Sequence, residues 1–236
     1  MIYNRTHCFE TRRRIPLSAG KLLHGHSKHG DGGGTIDYPR GYDVLAEIGF
    51  LGRRRSVFTR LAALSGAGTG HQILDVGCGT GYLTRMLAPL VGREGRVTGL
   101  DPSPAMIAHA RRRSPGNCSY EVGEGQAMPF PDASFDIVVS SFAVHHMPVS
   151  ARGTAVKEMF RVLRPGGQVL IAEFRPPANP LAARLAAVLA GPAMRPTMPE
   201  LLAGLVPAAG LRVESTGTVG PVLYYVNAVR PLDSRS

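Results

Sequence analysis

The sequence predicts one α/β domain built on a doubly wound sheet of seven strands, mostly parallel. From residue 72 onward, short apolar runs alternate with segments of helical periodicity, as expected for repeated strand–helix–strand units. The first of these runs ends in a turn rich in glycine. The last two runs follow each other without a helix between them, which favours an antiparallel strand at the C-terminus.

Each element follows from its own pattern. Apolar residues recur at helical spacing from Gly41 to Leu64, and Gly49 and Gly52 are expected to divide this segment into two helices. The expected strands are Gln72–Val76, Arg96–Leu100, Cys118–Val122, Phe135–Ser140, Gln168–Glu173, Leu211–Thr216 and Val222–Val229. The expected later helices are Gly79–Leu90, Pro104–Arg113, Ala151–Leu163, 178–190 and 197–209. With right-handed crossovers this order gives a Rossmann-like sheet.

The chain divides into a short tail and one folded unit. Residues 1–35 are predicted to be a flexible basic segment, and residues 36–236 a single domain. Within that domain we expect an N-terminal helical lid at 36–70, a ligand-binding core at 71–175, substrate lid helices at 176–210 and closing strands at 211–230.

Composition sets limits on the class of protein. The chain has 236 residues, of which 44% are hydrophobic, so it can bury a sizeable core. It contains no run of about 18 apolar residues, so no membrane span is expected. Cys8, Cys78 and Cys118 are too few and too widely spaced for a disulfide framework or a zinc site. These features predict a cytoplasmic protein without a metal, and they leave its oligomeric state open.

The net charge of +10 suggests nucleic acid as a partner, but its distribution weakens that interpretation. Residues 1–30 carry a net charge of +5, so half of the excess lies in the N-terminal tail. A solvated basic surface is the simpler explanation, and nucleic-acid binding is not expected.

The residues from Ile73 to Gly81 predict a binding turn. An apolar strand ends in Asp75, and three alternating glycines, Gly77, Gly79 and Gly81, precede a helix. Glycine lets a ligand approach the bare backbone, and the start of a helix directs free N–H groups at that ligand. Cys78 lies inside this turn, where a small side chain fits. The sequence therefore predicts a nucleotide-like pocket at the carboxyl end of a parallel strand.

A second acid, Asp101, ends the next strand and precedes Pro102. A carboxylate at this position can accept hydrogen bonds from both hydroxyls of a ribose. The alternative is that Asp101 simply caps the following helix.

Two further motifs narrow the choice of nucleotide. Residues 123–136 read GEGQAMPFPDASFD, and residues 161–167 read RVLRPGG. Together with the glycine turn and Asp101, these motifs resemble the class I S-adenosylmethionine-dependent methyltransferases. They are similar in particular to the methyltransferase type 11 group, which includes the ubiquinone/menaquinone-biosynthesis methyltransferases. The resemblance covers about residues 70–173.

The resemblance implies roles for individual residues. Asp75 and the glycines would surround the methionine part of S-adenosylmethionine, and Asp101 would hold its ribose. The rest of the implied cofactor set comprises Cys78 and Pro102 beside these, Met106, Gly125 and Gln126 at the adenine, and the Ser140 carbonyl at the ammonium. Glu124 stands where the family often has Asp, which puts a direct bond to the adenine amino group in question.

Tyr42 is the predicted lid residue. It lies in a Tyr-Asp segment that resembles the one covering the cofactor in this group. It would bond the methionine carboxylate, and the alternative is an ordinary core tyrosine.

His145 and His146 follow the fourth strand, where the transferred methyl group is expected to point. Histidine suits the role of a general base, because its unperturbed pKa lies near 6.5. The alternative is a histidine pair that only shapes the loop.

These features predict an enzyme that transfers a methyl group from S-adenosylmethionine to a small, partly apolar molecule. The acceptor atom, whether O, N or C, stays open. The alternatives are an RNA methyltransferase that uses the basic N-terminus, an NAD-binding oxidoreductase, and a module that binds S-adenosylmethionine without turnover.

Overall fold

The computed structural model describes residues 39–50, 52–175, 198–220 and 223–232. The helices are α1 (Pro39–Gly49), α2 (Arg54–Leu64), α3 (Tyr82–Val91), α4 (Pro104–Arg111), α5 (Val149–Val162) and α6 (Met198–Ala208). The strands are β1 (Gln72–Val76), β2 (Arg96–Asp101), β3 (Cys118–Val122), β4 (Phe135–Ser141), β5 (Leu163–Phe174), β6 (Arg212–Val219) and β7 (Leu223–Val229). The predicted tail at 1–35 and the predicted helix at 178–190 lie outside the described residues. Among the helices that are described, none is long and apolar enough to cross a membrane.

The seven strands form one sheet in the order β3-β2-β1-β4-β5-β7-β6. The first five strands in this order pair in parallel, and β7 runs antiparallel to both of its neighbours. The predicted fold class is therefore confirmed. Chain order reverses between β1 and β4, and in sheets of this kind ligands bind at the carboxyl ends of the strands beside that reversal.

Most elements begin or end a few residues away from their predicted bounds, and two of these differences have a clear local cause. Helix α3 begins at Tyr82 rather than Gly79, because Gly79 and Gly81 have φ angles of +52° and +73°, outside the helical range. Strand β5 begins at Leu163, and the predicted Pro-Gly-Gly turn lies within it. Its pairing with β4 shifts register at that point, which accommodates the turn-forming residues as an irregularity.

The core lies on both faces of the sheet because successive strand residues point to opposite sides. On β1, Leu74 packs into a cluster with residues of α5 and α6, whereas Ile73 packs into a cluster with residues of α2 and α3. The central strands are buried on both faces, which explains why β4 reads as a continuous apolar run. The helices thus cover the faces and leave the strand ends for loops.

Arg161 fixes the loop that leads into β4. Its guanidinium donates to the carbonyl oxygens of Phe130 at 2.7 Å and Met128 at 3.1 Å. It also binds the carboxylates of Glu158 at 2.7 Å and Asp132 at 2.7 Å. This contact joins the two sequence motifs, since one motif supplies the arginine and the other supplies the loop.

We expect Arg161→Met to lower the free energy of unfolding by about 2–3 kcal/mol, because several charge-assisted hydrogen bonds are lost together. Arg212→Met is the matched control. Arg212 is 70% exposed and pairs with Glu214 on the surface, whereas Arg161 is 30% exposed. The control should change stability by less than about 0.5 kcal/mol. Urea unfolding measures both values, and equal losses would contradict the assignment.

Candidate functional site

The glycine turn is anchored to the neighbouring strand. The amides of Gly77 and Cys78 donate to the Leu100 carbonyl oxygen at 2.8 Å and 3.0 Å. The Gly81 amide closes the turn on the Cys78 carbonyl oxygen at 2.8 Å. The turn is therefore held at the carboxyl end of β2 as well as β1.

The glycines of the turn serve different purposes. A Cβ atom on Gly77 would come within 2.2 Å of Ala143 Cβ, so this glycine lets the turn touch the loop after β4. A Cβ on Gly81 would meet the Tyr120 hydroxyl at 2.5 Å. A Cβ on Gly79 would meet no protein atom within 4 Å. Gly77 and Gly81 permit close packing, whereas Gly79 presents bare backbone to open space, as a ligand-binding glycine does.

Asp75 is completely buried at the end of β1. Its Oδ2 accepts a hydrogen bond from Thr84 Oγ1 at 2.7 Å, and its Oδ1 has no partner in the described part of the chain. Burial is the main reason that the pKa of Asp75 is raised to about 7, and the nearby charge of Asp101 adds to the rise. A buried carboxylate with an unsatisfied oxygen favours a cationic or hydrogen-bonding ligand.

The Asp101 carboxylate accepts hydrogen bonds from backbone amides of two different loops. Its Oδ2 accepts from the Gly79 amide at 2.8 Å, and its Oδ1 accepts from the Ser103 amide at 2.9 Å. The side-chain cap of α4 is Ser103, whose Oγ accepts from the Met106 amide at 3.3 Å. Capping therefore does not require Asp101, and its carboxylate joins the glycine turn to the β2 end.

The remaining predicted cofactor residues lie around this turn in different settings. The Cys78 side chain packs in a buried cluster with Ile107 and Tyr120, and burial raises the pKa of its thiol well above the usual value. Its backbone alone is left to face a ligand. The Met106 side chain is also buried, whereas Pro102 is exposed beside it.

The loop after β3 carries the predicted adenine residues. Gln126 Nε2 donates to Glu124 Oε2, so these two side chains already bind each other. A Cβ on Gly125 would lie 2.8 Å from Cε at the flexible end of the Met147 side chain. Ser140 is buried, and its Oγ donates to the Val76 carbonyl oxygen at 3.1 Å. That bond joins the ends of β4 and β1.

Helix α1 is tied to the glycine turn through Asp43. The Asp43 Oδ1 atom accepts from Thr80 Oγ1 at 2.8 Å and from the Arg54 guanidinium at 3.1 Å. Arg54 in turn lies 4.0 Å from the ring centroid of Tyr82, a cation–π contact at the start of α3. These contacts fit the predicted covering helix, and their residues were not singled out from the sequence.

Tyr42, on α1, lies among the acidic side chains of the strand ends. Burial is the main reason that the pKa of its phenol is raised, and the Arg54 guanidinium acts in the opposite direction. The carboxylates of Asp101, Asp43 and Glu173 raise it further. The phenol is thus close enough to interact electrostatically with the acids at the ends of β2 and β5. Its role as a lid residue stays a prediction.

His145 and His146 lie in a short 3₁₀ helix after β4. Their rings stack with centroids 4.0 Å apart. The His145 Nδ1 atom lies 2.6 Å from Oε2 of Glu173, which is completely buried at the end of β5. Glu173 was predicted as a strand residue without a role. The signal that identified Asp75 and Asp101, an acid that ends an apolar strand, also applies to it.

The carboxyl edge of the sheet therefore carries acidic side chains at the ends of β1, β2 and β5, together with the glycine turn and the histidine loop. Residues 73–167 match the family described as a methyltransferase domain. This part of the chain therefore resembles a methyltransferase domain. The predicted resemblance to the class I S-adenosylmethionine-dependent methyltransferases is thereby confirmed.

Relatives with curated names share this region of sequence. The chain is 34% identical over 157 residues to the ubiquinone/menaquinone biosynthesis C-methyltransferase UbiE of Hydrogenovibrio crunogenus. That match covers 64% of this chain and 61% of the relative. The chain thus spans about three fifths of the length of the curated relatives it matches.

Solved structures share the fold. A crystal structure of an S-adenosylmethionine-dependent methyltransferase from Aquifex aeolicus has a TM-score of 0.66 and 22% identity, covering 82% of this chain and 98% of that one. The [4+2]-cyclase SpnF has a TM-score of 0.60 and 20% identity, covering 74% of this chain and 81% of that one. Because one neighbour is named as a cyclase, the fold by itself does not fix the chemistry.

The buried carboxyl of Asp75 predicts a pH-dependent stability in the ligand-free protein. Its pKa is raised from 3.8 to about 7 on folding, so the folded state keeps a proton that the unfolded state loses over this range. This contribution to stability is full below about pH 4 and is lost as the pH rises through about 7.

We expect Asp75→Asn, which is neutral throughout, to gain about 2–3 kcal/mol relative to the wild type between about pH 5 and about pH 8. Urea unfolding at the two pH values measures this difference. For the surface variant Glu214→Gln, the difference in free energy of unfolding from the wild type should be the same at both pH values. A difference in free energy of unfolding between Asp75→Asn and the wild type that stays constant with pH would contradict a raised pKa of Asp75.

Proposed function

We propose that this protein is an enzyme that transfers a methyl group from S-adenosylmethionine to a small, partly apolar acceptor. The observation that carries the proposal is the acidic character of the glycine-turn pocket. Asp75 and Asp101 lie close enough to raise the pKa of Asp75, and among the described residues no cation acts on that carboxylate. A cofactor with a sulfonium and an ammonium group suits this field, whereas the pyrophosphate of a dinucleotide would be repelled.

The residues present fit this cofactor. The unpartnered Oδ1 of buried Asp75 is an acceptor for an ammonium group or for a water molecule bound to it. The space beside Gly79 admits a ligand against the backbone. Asp101 is oriented by two backbone amides at the end of β2, and its carboxylate is an acceptor of the kind that ribose hydroxyls bind. When bound, the cofactor supplies an electrophilic methyl group for direct displacement.

The chain contributes mainly by positioning the reactants. Tyr42 on α1 covers the pocket, and the Asp43–Thr80 bond holds α1 against the glycine turn. Gly125 and Gln126 border the adenine side, and the Ser140 carbonyl lies at the end of the adjacent strand. Alignment of this kind can supply roughly 7–11 kcal/mol of the barrier reduction.

The acceptor side lies towards β4 and β5, where Phe174 and the two histidines provide an aromatic surface. The curated relatives are named for ubiquinone and menaquinone biosynthesis, so a quinol is the acceptor to test first. The widely spaced cysteines, of which Cys78 and Cys118 are free thiols, support a cytoplasmic location.

Isothermal titration calorimetry with S-adenosylmethionine, S-adenosylhomocysteine and NAD tests the cofactor. We expect the wild type to bind the first two and not NAD. Asp101→Asn should weaken binding by roughly 10–100-fold, because a charge-assisted hydrogen bond contributes about 1.5–3 kcal/mol. The exposed Asp132→Asn is the matched control and should bind like the wild type. Binding of NAD without S-adenosylmethionine would overturn the proposal.

Anaerobic incubation with 1,4-naphthalenediol and labelled S-adenosylmethionine tests the transfer. We expect S-adenosylhomocysteine and a methylated product in equal amounts, and mass spectrometry with nuclear magnetic resonance locates the methyl group on carbon or oxygen. Cofactor binding without product from any acceptor offered would favour a binding module instead.

A further inference from the structure

Glu173 is a buried acid whose two oxygens both have partners in the loop after β4. Its Oε1 accepts from the Val144 amide at 2.8 Å, and its Oε2 lies 2.6 Å from His145 Nδ1. The side chain is completely inaccessible at the end of β5. A buried carboxylate requires hydrogen-bond donors, and the Val144 amide and His145 Nδ1 fill that role.

The pairing determines which nitrogen of His145 carries the proton. An ionised carboxylate only accepts hydrogen bonds, so Nδ1 must donate and the neutral ring keeps its lone pair on Nε2. Within the described residues, the ring of His145 makes its hydrogen bond through Nδ1 and none through Nε2. Nε2 is thus an acceptor that the fold supports but does not use.

The ring is also held on its other sides. It stacks on His146 with centroids 4.0 Å apart and meets the Phe174 ring edge-on at 5.8 Å. The His145 carbonyl oxygen accepts from the Arg152 guanidinium at 3.0 Å. Packing and hydrogen bonds therefore fix both the backbone and the ring, as needed for a group that acts at one point.

The loop touches the pocket assigned to the cofactor. It leaves β4 at Phe142, which has a left-handed φ of +57° and donates its amide to the Ala172 carbonyl oxygen at 2.8 Å. Ala143 follows and lies against Gly77 of the glycine turn. Strained backbone of this kind is retained where the surrounding structure requires it, often beside functional groups.

Strand order places the His145–Glu173 pair away from Asp101, the residue assigned to the ribose. Asp101 ends β2, on one side of β1, whereas Glu173 ends β5, on the far side of β4. With about 4.8 Å between strands, these two acids lie about three strand spacings apart along the carboxyl edge. A methyl acceptor that lies beyond the methionine part of the cofactor would meet His145 first.

We propose that His145 is the catalytic proton acceptor and that Glu173 is the positioning residue that fixes its reactive tautomer. The inference rests on the proposed methyl transfer and identifies the acceptor as a molecule that arrives protonated, with a hydroxyl on an unsaturated ring. The hydroxyl proton moves to Nε2 of His145. The electron pair that it leaves forms the bond to the methyl carbon, through oxygen or a conjugated ring carbon, as the carbon–sulfur pair departs with sulfur. The imidazolium is then stabilised by Glu173.

The tautomer can be measured without cofactor or acceptor. Long-range ¹H–¹⁵N correlation spectra of the ¹⁵N-labelled protein should show His145 protonated at Nδ1, with its signals assigned by their loss in His145→Gln. In Glu173→Gln the amide can donate to Nδ1, so the proton should move to Nε2. A wild-type ring protonated at Nε2, or a tautomer unchanged in Glu173→Gln, would overturn the positioning role.

The pH dependence of turnover tests the proton acceptor. With 1,4-naphthalenediol, kcat of the wild type should rise with pH along a limb of unit slope. His145→Gln should lose this limb and lower kcat by roughly 100-fold or more. Glu173→Gln should lower kcat with little change in KM, and Glu173→Asp should recover part of the loss. A His145→Gln enzyme that keeps the limb or half of the rate would overturn the proposal.

Two controls separate this inference from folding and from the proposed function. Calorimetry should give the same S-adenosylmethionine affinity for both variants as for the wild type, which shows that the pocket is intact. His71→Gln, at the amino-terminal edge of β1, should keep the wild-type pH profile. If the wild type binds the cofactor but does not methylate 1,4-naphthalenediol, the proposed acceptor class is wrong, and the tautomer measurement alone decides the role of Glu173.

Discussion

The site depends on acidic side chains that end parallel strands and hold the backbone of the neighbouring loop. Asp101 ends β2 and binds the Gly79 amide in the turn after β1. Glu173 ends β5 and binds the Val144 amide in the loop after β4. A buried carboxylate is costly unless donors surround it, so each acid requires that loop to adopt one arrangement. The same carboxylates that stabilise these loops also make the electrostatic potential at this edge of the sheet more negative.

This arrangement is compatible with the cation binding and the proton transfer that we propose for one edge of the sheet. Burial and the neighbouring carboxylate of Asp101 both raise the pKa of Asp75, because they make its negative charge unfavourable. A positively charged ligand would offset this cost. Around Glu173 the carboxylate faces a histidine, which favours a ring that can become positive. Helix α1 completes the pocket because Asp43 joins it to Thr80 on the glycine turn. A [4+2]-cyclase shares this fold, so the sheet alone is compatible with several reactions. The side chains at the edge of the sheet must therefore determine the reaction.

Several motif residues recognised in the sequence organise the structure through contacts within the fold. Arg161 of the RVLRPGG motif holds the loop that leads to β4. Asp136 of the preceding motif accepts from the Gln72 amide at 2.8 Å, at the amino end of β1. Cys78 packs over β2, where a Cβ on Gly99 would lie 2.7 Å from its Sγ. Spacing in a motif thus reports contacts within the fold as well as contacts with a cofactor.

The sequence by itself determined the fold class, the order of the elements and the acids at the ends of β1 and β2. These properties follow from local patterns: apolar periodicity, glycine at positions with positive φ, and an acid that closes an apolar run. Tertiary structure alone decided which residues meet across the edge. The pairs Asp43–Thr80 and His145–Glu173 join residues 37 and 28 positions apart, and their contact depends on strand order and helix packing. Strand ends that are distant in the chain become neighbours only when the sheet forms, so the partner of His145 was not apparent from the sequence.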